Sequence, residues 1–165
     1  MRPYRLRDAV RAIGTTEAAV RQWLNSGKVT IDHGYGEGWA TFTLRDIAVL
    51  AVTQKLVEFN VPLTMAFKIA GHAIDVGRKD VRDKQFARPG EEFVAGWKGI
   101  LMTVRRDRKD PKAWNVTRWQ KEEGEAPGFG NFICIDVATI VTEAFDRLEA
   151  GLVEPDAPDK KAKAG

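Results

Sequence analysis

Apolar residues at helical spacing open the chain. Leu6, Ala9, Val10 and Ile13 repeat on one helical face, and Gly14 breaks the run where a left-handed residue is needed. A second short helix starts after Thr15-Thr16, whose hydroxyls can accept a bond from a free N–H of the first turn. Its inward face is Val20, Trp23 and Leu24, and Gly27 closes it from the position past the C-cap. Glu17, Ala18, Arg21, Gln22 and Asn25 then point outward. Two helices around a glycine-bearing turn, the second with an outward polar face, follow the plan of a helix-turn-helix.

The pattern then turns β-like. Val29-Thr30-Ile31-Asp32 and Trp39-Ala40-Thr41-Phe42 are β-prone runs around the turn-rich stretch His33 to Gly38, which predicts a hairpin. Thr43 caps a further helix with Asp46 three residues on, close to a capping box. Leu44, Ile47, Ala48, Ala51, Leu56 and Phe59 supply its apolar side, and Arg45, Asp46, Gln54, Lys55 and Glu58 read as solvated. Pro62 opens a fourth helix with the stripe Leu63, Ala66, Phe67, Ala70 and Ile74, ended by Gly77. The charged run Arg78 to Lys84 reads as a link or helical extension.

Past Arg88-Pro89-Gly90 the reading is β. Trp97 to Val104, Ala113 to Gln120 and Asn131 to Ile135 predict a small three-stranded antiparallel sheet. Its connections are the charged turn Arg105 to Lys112 and the glycine-rich loop Glu122 to Gly130. Trp114 and Trp119, an odd number of residues apart, fall on opposite strand faces. A helix beginning at Asp136 carries Val137, Ile140, Val141, Ala144, Phe145, Leu148 and Leu152 on one side and is expected to cover the sheet. The fold class is therefore α+β, divided as a four-helix N-terminal domain with a hairpin wing (1–80), an α+β domain (81–153) and a disordered tail (154–165) rich in Pro, Asp and Lys.

Composition narrows the function. An apolar share of 44% and five tryptophans provide a core, and 30% charged residues fit a soluble protein. No apolar run approaches the ~20 residues of a membrane span, and no apolar stretch follows the N-terminal arginines as a secretory signal would require. Cys134 is the only cysteine, which suits a reducing cytoplasm, and with His33 and His72 as the two histidines neither a metal site nor a cofactor is expected. The net charge of +3 is small, yet residues 1–28 hold six basic residues against Asp8 and Glu17, a local +4. A basic surface coinciding with a helix-turn-helix pattern favours phosphate contact. Gly34 to Gly38 lies in a hairpin rather than before a helix, so it is no dinucleotide fingerprint, and an enzyme is not expected.

The run Gly14-Thr15-Thr16, Val20-Arg21-Gln22-Trp23, Gly27-Lys28-Val29, the hairpin and Thr43-Leu44-Arg45-Asp46-Ile47 resembles the MerR-like winged-helix family over about the first 75 residues. Asn60-Val61-Pro62-Leu63 continues the likeness, with Asn60 in place of the family's left-handed glycine. Ala40 departs from it, since the family's wing carries an arginine after its Gly-aromatic pair. The resemblance implies double-stranded DNA as partner, and Arg21 matches the family arginine that anchors the backbone. From the residues themselves, Thr16, Glu17, Ala18, Arg21 and Gln22 form the start and face of a reading helix, where Arg21 suits guanine or phosphate and Gln22 suits adenine. Glu17 suits a cytosine amino group or the helix dipole. Arg5, Arg7, Thr15, Lys28 and Tyr35 complete the expected DNA contacts, with a second contact at Arg105, Arg106, Arg108 and Lys109 weighed as well. The reading is a cytoplasmic, bacterial or phage-encoded, sequence-specific transcription regulator. It is expected to act as a homodimer whose C-terminal half dimerises or takes a protein partner or small-molecule effector. Its rivals are an architectural DNA-binding protein of the excisionase or packaging type and an adaptor that no longer binds DNA.

Overall fold

The computed structural model describes residues 4–32, 40–81, 84–110, 112–120 and 132–153. The expected tail, the loop Glu122 to Gly130, the hairpin turn His33 to Gly38 with Tyr35, and Trp39 at the start of the hairpin's second run lie outside them. The described residues run β1 (Tyr4–Arg5), α1 (Leu6–Ile13), α2 (Glu17–Asn25), β2 (Thr41–Phe42), α3 (Leu44–Glu58) and α4 (Leu63–Lys79). They continue with α5 (Glu91–Ala95), β3 (Ile100–Arg106), β4 (Trp114–Gln120), β5 (Ile133–Ile135) and α6 (Val137–Val153).

Local chemistry sets the helix ends. Gly14 adopts φ 75° and its N–H donates to the Val10 carbonyl at 3.0 Å, closing α1. Asn60 holds the turn from α3 into α4 at φ 61°, a left-handed conformation that asparagine tolerates better than most side chains. Asp136 caps α6 by accepting from the Thr139 N–H at 3.0 Å.

Helix α3 is the buried axis of the fold. It packs against α1, α4 and α6, so Leu44, every residue from Asp46 to Thr53, and Leu56 are buried. Two expectations for this helix are thereby corrected. Asp46 is not solvated but only 3% exposed, because it bonds inward to the chain that enters the helix. Phe59 does not join the core and is 48% exposed, stacked instead beneath the Lys55 ammonium 5.8 Å from its ring centre.

The predicted pairing of Val29–Asp32 with Trp39–Phe42 is also corrected. Val29–Asp32 is not a strand, although Val29 and Ile31 are buried. The Asp32 N–H goes to the Asp46 carboxylate at 3.1 Å. Thr41–Phe42 pairs antiparallel with Tyr4–Arg5 across the start of α1.

In the C-terminal half, β3 lies between β4 and β5 in an antiparallel sheet. The helix expected to cover it touches β3, but its larger contacts are with α1, α3 and α5. Val137, Val141, Ala144 and Leu148 of α6 are buried in the same hydrophobic cluster as Ala9, Ala12, Ile47 and Leu50. Leu152, expected on this stripe, is 58% exposed.

Helix α5 is a short element not expected from the sequence, and the turn that follows it takes the start of the predicted strand, so Trp97 sits in that turn and β3 begins only at Ile100. Gly77 does not end α4, which continues to Lys79. Its missing side chain makes room for the Trp97 indole, whose N–H donates to the Ala73 carbonyl at 3.0 Å. The Arg118 guanidinium closes this seam, 4.9 Å from the Trp97 ring centre, donating to the Gly96 carbonyl at 2.7 Å and paired with Asp80.

A Cβ at Gly96 would lie 2.0 Å from the Gly77 carbonyl oxygen, a backbone atom that cannot swing aside. Gly96→Ala is therefore expected to cost about 3 kcal/mol in urea unfolding monitored by tryptophan fluorescence, the scale of overpacking in a tight interior. A cost below about 0.5 kcal/mol would show that the α4–α5 seam is looser than described.

Candidate nucleic-acid interface

The outward side of α2 gathers five of the expected contacts. Thr16 is its N-cap, with the side-chain oxygen accepting from the Ala19 N–H at 3.2 Å. Glu17, Ala18, Arg21 and Gln22 follow on the exposed face, while Val20 (0% exposed) and Trp23 anchor the opposite side in the core. The Ser26 hydroxyl donates to the Trp23 carbonyl at 2.8 Å and Gly27 turns at φ 67°, ending the helix where the glycine was expected to end it. Lys28 is exposed just past this turn, and Thr15 is half-buried just before the helix.

Arg21 is not left to swing. Its guanidinium donates to Glu17 at 3.2 Å, one turn back, with both side chains about half exposed (51% and 49%). A pair this wet stabilises α2 little, and its attraction is screened by salt. Its consequence is chemical. Arg21 is aimed along the helix face, and Glu17 partly offsets the charge that a phosphate would meet.

Arg5 and Arg7 lie elsewhere, at the start of α1. Arg5 is the N-cap, its backbone N–H held by Asp8 at 3.2 Å, which leaves its side chain exposed. The Arg7 guanidinium stands 4.0 Å from Asp8 and is 58% exposed. Tyr35 lies outside the described residues, so its position relative to α2 is not part of the geometry. Ala40, where the family's wing carries an arginine, is buried and presents no cation.

In the chain that follows α2, a polar network missed by sequence reasoning ties Asp32 to the start of α3 and to α4. One Asp46 carboxylate oxygen accepts from the Asp32 N–H (3.1 Å); the other accepts from both the Thr43 N–H and hydroxyl (2.8 Å each). The Arg45 guanidinium forks onto Asp75 of α4 at 2.9 and 2.8 Å and reaches Asp32 at 3.4 Å. The hydrogen bond from Arg45 holds the Asp75 carboxyl below its ordinary value of 3.8, and the same bond raises Arg45. Thr43 and Asp46 signalled part of this as a capping box. No local pattern could reveal Asp75, which is 30 residues from Arg45.

Because the Asp75 pKa is depressed in the folded protein, the stabilisation it brings is complete above the ordinary carboxylate range and lost as pH falls through the folded value. Arg45→Ala should move the Asp75 titration, followed by carboxyl carbon NMR, upward toward 3.8. An unchanged midpoint would mean that Arg45 does not hold this carboxylate.

No curated protein matches the sequence. Residues 4–71, which run from β1 into α4, match the family model described as MerR HTH family regulatory protein. The N-terminal part of this chain is a helix-turn-helix domain of the MerR family.

Proposed function

We propose that the protein is a sequence-specific, double-stranded DNA-binding transcription regulator that lays α2 in the major groove. The observation that supports this most is the division of α2: Val20 and Trp23 fix its back in the core, while Thr16, Glu17 and Ala18 at its N-terminal end and Arg21 and Gln22 one turn on face outward. That end of a recognition helix is the part that reaches base edges. Gln22 has the amide geometry to pair with adenine, Arg21 contacts phosphate or guanine, and Thr15, Thr16 and Lys28 hold the flanking backbone. Arg5 and Arg7 add phosphate contacts from the start of α1. The protein acts as a homodimer on paired half-sites, since one small module offers limited contact area. The C-terminal half supplies that contact. It also offers a place for an effector or partner, a cleft of about 240 Å³ lined by Arg88, Glu91, Val94, Phe145 and Glu149.

The Glu17–Arg21 pair gives a two-sided test against a mixed-sequence 30-base-pair duplex, with anisotropy read across a salt series. Arg21→Ala should weaken binding roughly tenfold and make the negative slope of log K against log salt shallower by about 0.9, the value of one phosphate contact. Glu17→Gln should tighten binding about two- to fivefold by removing the offsetting charge. If neither change moves the affinity, α2 does not face the duplex.

A further inference from the structure

The β3–β4 hairpin outruns the sheet it belongs to. Strand β5 pairs with β3 only from Met102 to Val104, whereas β3 and β4 stay paired to Arg106 and Trp114. Burial ends at the same point: Met102, Thr103 and Val104 are buried, and Arg105 and Arg106 are exposed. Among the described residues the chain beyond Val104 is therefore a two-stranded ribbon, closed by Asp107 N–H donating to the Ala113 carbonyl at 2.9 Å and Ala113 N–H donating to the Asp110 carbonyl at 3.0 Å.

Residues 105–112 hold five basic residues against two acidic ones, a net +3 equal to that of the whole chain. The acid at the centre is occupied within the turn. Asp107 accepts from the Lys109 N–H at 2.7 Å, the Asp110 N–H at 3.4 Å and the Asn115 side-chain amide at 3.0 Å. The Arg106 guanidinium rests 5.3 Å from the Trp114 ring centre, a contact that orders it without removing its charge. Neither Arg105 nor Lys109 makes an ion pair with a carboxylate of the described residues. As strand neighbours, Arg105 and Arg106 point to opposite faces.

We infer that this ribbon is a second DNA-binding element, inserting between the phosphate walls of a duplex groove with Arg105 on one face, Arg106 on the other and Lys109 at the tip. A two-stranded ribbon fits the major groove of about 12 Å, and cations on both faces match a groove bounded by phosphate on each side. The partner is duplex DNA, bound through its backbone, so the ribbon adds affinity more than sequence preference. This rests on the reading of α2 as a DNA contact, and it gives the C-terminal half a share in binding.

Arg105→Ala with Lys109→Ala leaves the Arg106–Trp114 stack and the Asp107 turn intact, and near-ultraviolet circular dichroism of the tryptophans verifies the fold. Titrated with the mixed-sequence 30-base-pair duplex across a salt series, the double variant should lose about 1.8 from the salt slope, two phosphate contacts, and bind roughly five- to thirtyfold more weakly near physiological salt. A slope equal to the wild type's, with Arg21→Ala still weakened, overturns the ribbon contact and leaves α2 as the reading element. A weakened double variant with Arg21→Ala unchanged supports the ribbon and removes α2. A wild-type chain without salt-dependent binding overturns both.

Discussion

Asp46 sits at the buried start of α3 with all three of its donors drawn from the chain that leads into that helix. The Asp32 N–H meets one oxygen; the Thr43 N–H and hydroxyl meet the other. A carboxylate 3% exposed is tolerable only because hydrogen bonds replace its lost water, and bonds to a charged acceptor are stronger than neutral ones. The geometric effect is to hold the chain before residues 33–39 and the chain after them against one helix end. Arg45 extends the constraint by joining Asp32 to Asp75 of α4. The chain leaving α2 is thus tied to α3 and α4, and the exposed face of α2 keeps a fixed orientation on the body of the protein.

The C-terminal half adds to that body. Helix α6 packs on α1 and α3, and its Arg147 lies over the α1–α2 turn, where a Cβ at Gly14 would meet the guanidinium at 3.3 Å.

Much of the N-terminal architecture was legible because its signals are local. Thr16, Gly14 and Asn60 act within a few residues of themselves, through caps and left-handed turns. Val20 and Trp23 follow from helical periodicity, and the inward side of α2 determines its outward one. What was not legible depends on distant partners. Asp46 reads as a solvated acid until Asp32 is placed beside it, and Val29 to Ile31 reads as a strand because burial alone gives it the same alternation. Gly77 reads as a helix stop, although its role is to admit Trp97 from 20 residues away. Helix α5 spans five residues, too few for periodicity to declare. For the site, sequence gave the α2 face, while the Glu17–Arg21 pairing and the reach of the β3–β4 ribbon needed coordinates.

DNA binding of this kind requires the outward face of α2 to meet the duplex. Amide chemical shifts of the full chain, recorded while mixed-sequence duplex DNA is added, test it directly. The largest changes are expected at Thr16, Glu17, Arg21 and Gln22, with Val20 and Trp23 little affected. Changes that spare α2 altogether while the complex forms would contradict it.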